Sequence, residues 1–194
     1  MTTAATETFD VEAWIKDANL PRESATVYKR ADVVSKLTAL KHRIEIARAG
    51  DNGERTSGGK SELKRLEEEY VNLLKVFSDS AITVHVRALT RQELKDLREA
   101  HEKAIEAKEI TKQESDEKFG YDLLAAAIVA VEPAGKPEQP ASLTTDQVRA
   151  LEEAIGATQL TAILAARQTA QNALPTVDAD FLHRPSGTSD GSRG

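Results

Sequence analysis

A mainly α-helical fold is predicted: a helical bundle with a projecting antiparallel helical hairpin and a small two-stranded β element. Three observations carry it. Two heptad seams of similar length, Val33-Leu37-Leu40-Ile44-Ala47 and Leu63-Leu66-Tyr70-Leu73-Phe77, flank a glycine-rich connection. Two capping boxes, Thr90-Arg91-Gln92-Glu93 and Thr144-Thr145-Asp146-Gln147, open further helices. Only SATVYK at 24–29 and the alternation of Ile82, Val84 and Val86 with Thr83, His85 and Arg87 read as strand.

From the N-terminus, residues 1–8 are small and polar and predict disorder. Asp10 caps a short helix with Val11, Trp14, Ile15 and Ala18 on one face, stopped at Asn19-Leu20-Pro21. The two seams then fold back on each other, which returns the chain to its starting end. The strand at 82–86 therefore pairs antiparallel with 24–29, and the pair needs a helix on its apolar face. The Thr90 box starts a helix carrying Leu94, Leu97, His101 and Ile105, with an end near Gln113. A second helix at 116–131 carries Phe119, Leu123, Ala126, Ala127 and Ala130. Its LLAAAIVAV end is apolar nearly all round, which predicts the most buried element. Proline-punctuated 132–143 (EPAGKPEQPASL) reads as a linker. The Thr144 box opens a helix ending at Gly156, and a last helix, about 157–173, carries Leu160, Ile163, Leu164, Arg167 and Ala170. The expected organisation is an arm with a short helix at 1–23, strand–hairpin–strand at 24–89, a C-terminal helical domain at 90–174 and a flexible polar tail at 175–194.

Composition narrows the function classes. A net charge of −6 argues against holding nucleic acid by its phosphates. The longest near-apolar run, Leu123–Val131, is about half a membrane span, so neither nucleic acid nor membrane is an expected partner. Cysteine is absent, which removes disulfides and thiolate metal sites. The N-terminus lacks the basic start and apolar stretch of a secretory signal.

GERTSGGKS at 53–61 approaches a phosphate-binding loop, but five residues separate Gly53 from Gly59-Lys60-Ser61 where that loop has four. Its required glycine position holds Glu54, whose carboxylate repels phosphate, and the loop follows a heptad helix, not a strand. It reads as a turn. His101-Glu102 starts like a zinc-protease helix, but Ile105 stands where the second ligand belongs. His101 falls on an apolar stripe and reads as a hydrogen-bonded core or interface histidine, while His42 reads as solvent-facing. Asp178-Ala179-Asp180 reads as solvated tail, and Glu67-Glu68-Glu69 as the wet face of a helix. No catalytic residue, cofactor or metal is predicted.

The alternative to a plain core is a partner groove, for which small alanines allow the close approach of an amphipathic helix. Leu123, Leu124, Ile128, Leu160, Ile163 and Leu164 are its candidate lining. Trp14 and Phe181 read as intramolecular anchors.

Five stretches in series carry a resemblance: ITVHVRALTRQELKDLREAH (82–101), YDLLAAAIVAVEP (121–133), LTTDQVRALEEAI (143–155), LTAILAARQTAQN (160–172) and DADFLHRP (178–185). A strand leads to a capped helix ending near a histidine. A buried helix closes on an acidic residue and proline; a Thr-capped helix, a helix ending in Asn and a late aromatic follow. In this order the chain resembles the tail assembly chaperones of long, non-contractile-tailed bacteriophages, over about 81–185, with weaker likeness at 24–80. The long heptad hairpin departs from that pattern. The resemblance implies binding without turnover in the host cytoplasm: the tape-measure protein kept soluble, and major tail subunits recruited to it. A frameshifted longer form of the chain itself is a further implied partner. The competing expectation is a structural virion component, a head–tail connector or scaffold, oligomerising through the hairpin.

Overall fold

The computed structural model describes residues 10–16, 18–50 and 57–173 of the 194. The expectations for residues 1–8, Gly53, Glu54, Asp178-Ala179-Asp180, Phe181, the tail and the Trp14 side chain lie outside the described part.

The chain is mainly helical around a small antiparallel sheet. Its strands β1 (Arg22–Tyr28), β2 (Ala81–Arg87), β3 (Ile128–Pro133) and β4 (Gln139–Pro140) lie in sequence order across the sheet. The expected pair is present, with Ser24 opposite His85 and Thr26 opposite Thr83. The two-stranded element is nevertheless corrected to four strands, because two expectations downstream fail together. Residues 128–131, expected as the end of a helix, are strand, and the expected linker at 132–143 contains a turn and the short β4. The helix before them, α5 (Lys112–Ala127), stops where Leu and Ala give way to Ile128, Val129 and Val131, and Ile128 takes extended backbone, φ −69 and ψ 125. β-branched side chains lose little in a strand, and β2 offers an unpaired edge to receive them. Val131 sits opposite Val84, and an irregularity at His85/Val86 brings Ile128 opposite Val86.

The long charged helix expected from Thr90 to Gln113 is also two pieces. Helix α4 (Arg91–Glu106) ends early, and the chain turns through Lys108 at φ 57. Thr111 and Glu114 then form a capping box that opens α5.

Behind the sheet, α6 (Thr145–Ile155) and α7 (Ala157–Asn172) join α5 over the apolar face. Val27, Val84, Val86, Leu124, Val148 and Ile163 form the centre of this core, each at most 1% exposed. Gly156 ends α6 and begins α7 at φ 83, backbone that a side chain strains. Two glutamines fix α7 across the strands. Gln159 pairs its amide with the N–H and C=O of Tyr28 (2.7 and 3.0 Å), and Gln171 does the same at Leu89 (both 3.0 Å). Sheet and core thus run across the division expected at residues 89/90.

After a 3-10 turn at Ala31–Val33, helices α2 (Val34–Gly50) and α3 (Ser57–Asp79) lie side by side. They share a second, smaller core of Leu40, Ile44 and Leu66, flanked by Leu63, Tyr70 and Leu73. The Phe77 ring stacks on Tyr28 with centroids 4.2 Å apart, joining the helical pair to β1. The short α1 (Val11–Lys16) leaves Val11 and Ile15 exposed.

Candidate functional site

The six residues expected to line a groove lie in the main core or pack against it. Leu124, Ile128, Leu160 and Ile163 are between 0 and 5% exposed in the main core, and Leu123 and Leu164 pack partly buried against it. Their side chains are consumed by the sheet, because α5 and α7 both bury their apolar stripes on β1 and β2.

The backbone of Gly59-Lys60-Ser61 lies inside α3, which follows helix α2 and not a strand. That order lacks the strand–loop–helix geometry a phosphate loop uses.

Apolar surface lies instead on the two long helices. Val34, Ile46, Val71, Leu74 and Val76 are between 41 and 60% exposed. Val71 and Leu74, three residues apart, share one side of α3, while Val76 turns to the other. On the first side a surface cleft of about 490 Å³ is lined by Lys41, Ile44, Arg48, Glu67, Tyr70 and Val71. An Arg48–Glu67 ion pair of 2.6 Å crosses it from helix to helix. The cleft therefore has an apolar floor and charged rims, the arrangement that receives an amphipathic helix. The heptad pattern accounted for the seam and left these off-seam apolar residues unexplained; their excess over the seam was the available signal.

A polar cluster joins α4, α5 and α6. His101, 9% exposed, has Nδ1 2.8 Å from Ser115 Oγ and Nε2 2.8 Å from Asp122 Oδ2. The other Asp122 oxygen accepts from the Thr145 hydroxyl. With Nε2–H donating to the carboxylate, the Ser115 hydroxyl donates to Nδ1 and both ring nitrogens are satisfied. The edge of Phe119 meets the ring at 5.2 Å. These are the residue types of a hydrolase triad, yet serine and aspartate occupy the ring nitrogens in the opposite sense to such triads. Ser115 is 5% exposed, and its backbone N–H is spent on Thr111 inside the first turn of α5. The arrangement locks three helices together, as the core reading of His101 anticipated. His42 is exposed.

At the sheet end, the Arg87 guanidinium holds Glu93 by two bonds of 2.5 and 3.0 Å. Glu93 also accepts from the Thr90 N–H at 2.7 Å. Arg87 first, and the Thr90 bonds after it, pull the Glu93 carboxyl down to about 2.

Among the described residues no cluster of three or more His, Cys, Asp or Glu is placed to hold a metal ion. No described helix is long and apolar enough to cross a membrane. Comparison with protein-family models, curated proteins and solved structures found no match, so any functional reading rests on the residues themselves.

Proposed function

We propose that the chain is a tail assembly chaperone of the kind its C-terminal half resembles. In this reading it is not an enzyme: it binds and solubilises the tape-measure protein in the host cytoplasm and helps recruit major tail subunits to it. α2 and α3 act as a projecting antiparallel hairpin, and its cleft beside Val71 and Leu74 takes the apolar face of a client helix. The supporting observation is the exposed pair Val71 and Leu74 beside a cleft between two long charged helices whose own seam is already filled. Each contact is small, so affinity for a long helical client comes from many copies along it. The net charge of −6 keeps such an assembly dispersed. Co-expression with the tape-measure protein encoded beside it is the test: the client should move from the pellet to the soluble fraction. A client equally insoluble with and without the chain refutes the reading.

The same exposed flank suits a second reading, a structural virion component that oligomerises through the helical pair. Light scattering on the purified chain separates the two. A fixed ring or rod without client favours the structural component, and a small species that grows only with client favours the chaperone.

A further inference from the structure

β1 stands at an edge of the sheet: β2 lies on one side of it, and among the described residues no strand lies on the other. Its register decides which backbone groups face outward. Pro21 O accepts from the Ala88 N–H at 2.9 Å, and the Lys29 N–H donates to Ser80 O at 3.2 Å. Odd-numbered residues from 21 to 29 therefore bond toward β2, and even-numbered ones turn their N–H and C=O groups the other way. Tyr28 follows the rule, with both groups held by the Gln159 amide and not by β2. Arg22, Ser24 and Thr26 also face outward, and all three are exposed. The usual protections of such an edge are missing: RESATVY holds no proline or lysine, and its pairing with β2 runs straight through without a bulge.

α7, which packs chiefly on β1, gives a second sign. In a chain with 30% charged residues, the one charged side chain of α7 is Arg167, and it is buried. Its exposed side carries Thr158, Thr161, Ala162, Ala165 and Thr169, small and uncharged residues of the kind that let two helices approach closely.

We propose that β1 pairs antiparallel with β1 of a second copy of this chain across a two-fold axis, joining two sheets into one. Gln159 fixes the register, because it occupies Tyr28. The pairing that uses all three remaining residues sets Ser24 opposite its own counterpart and Arg22 opposite Thr26 of the second copy. Each of these pairs exchanges two backbone hydrogen bonds. Charge fits as well: Arg22 meets Thr26 and Glu23 meets Ala25, so no like charges stand directly opposite. The same axis brings the two α7 helices together on their uncharged sides. The helical pair joins its own sheet at Tyr28, beyond the paired residues, so the dimer forms independently of any client on the long helices.

Sedimentation equilibrium on the full chain is the test, and the wild type should sediment as a dimer of the 21.1 kDa chain. Ser24→Pro removes an outward N–H and no bond to β2, so it should give a folded monomer with an unchanged far-UV spectrum. If that variant folds poorly, charge at the same position decides. Ser24→Lys and Ser24→Glu each set like charges face to face and should weaken dimerisation about tenfold. Mixed together, the two variants should pair with each other and recover the wild-type affinity. Val71→Glu with Leu74→Glu should leave the dimer intact. A wild type that stays monomeric at every concentration overturns the proposal, whatever else covers the edge. A dimer that Ser24→Pro leaves unchanged, or Lys and Glu variants that gain nothing from mixing, overturns it equally.

Discussion

The Glu93 carboxylate has two roles: it closes the capping box of α4 and neutralises Arg87. Its pKa lies below the ordinary 4.5, at about 2, so its stabilisation is complete above about pH 4.5 and is lost as pH falls toward 2. The side chain is 36% exposed, so solvent screening trims the effect. Glu93→Gln should cost about 1 kcal/mol at pH 7. That deficit should shrink as pH falls through the window, as urea midpoints at pH 7 and pH 3 would show. His101 stands on different ground, because removing it strands Ser115 and leaves the half-buried Asp122 carboxylate without its ring donor. His101→Leu should cost about 3 kcal/mol and Ser115→Ala about 1 kcal/mol by urea denaturation, since a stranded carboxylate costs more than a stranded ring nitrogen. Equal costs would mean that Asp122 draws no stabilisation from the ring.

Each long helix depends on its own seam. Leu66 is 2% exposed in a core that, among the described residues, has Leu40 and Ile44 as its buried partners, apart from the core that holds the sheet. Leu66→Ala should cost about 3 kcal/mol. Amide exchange should accelerate throughout α2 and α3, while β2 and α5 keep their protection. Uniform acceleration across all elements would show the two cores unfold as one. These seams were legible in sequence because a heptad repeat is a direct image of one packed face. The α4–α5 break was harder to read, because its left-handed residue is Lys108 and not the glycine that usually marks such a stop. Thr111 and Glu114 did carry a readable start signal. β3 was hidden for a different reason. IVAV at 128–131 is apolar enough to continue a helix, and only pairing with β2 decides for strand, a long-range term no local window contains.

At the scale of the whole molecule, the proposed function divides the labour between a core that holds the fold and a helical pair that meets a partner. The main core takes up the apolar residues that looked most available in the sequence, Leu124 and Ile163 among them, and leaves almost none of their surface outside. The helical pair does the opposite: among the described residues its core of Leu40, Ile44 and Leu66 is thin, and Val71 and Leu74 remain 60 and 41% exposed. Surface left apolar at no benefit to folding points to a partner. A pair of substitutions tests that division. Val71→Glu with Leu74→Glu should shift the chain's own stability by no more than about 0.5 kcal/mol, because neither side chain supports a core. It should nevertheless abolish rescue of a co-expressed tape-measure protein. Leu124→Ala should do the reverse, costing about 3 kcal/mol while the folded fraction still rescues the client. If the glutamate pair leaves rescue intact and Leu124→Ala removes it at full folded yield, the client meets the main core after all, which would have to open to receive it.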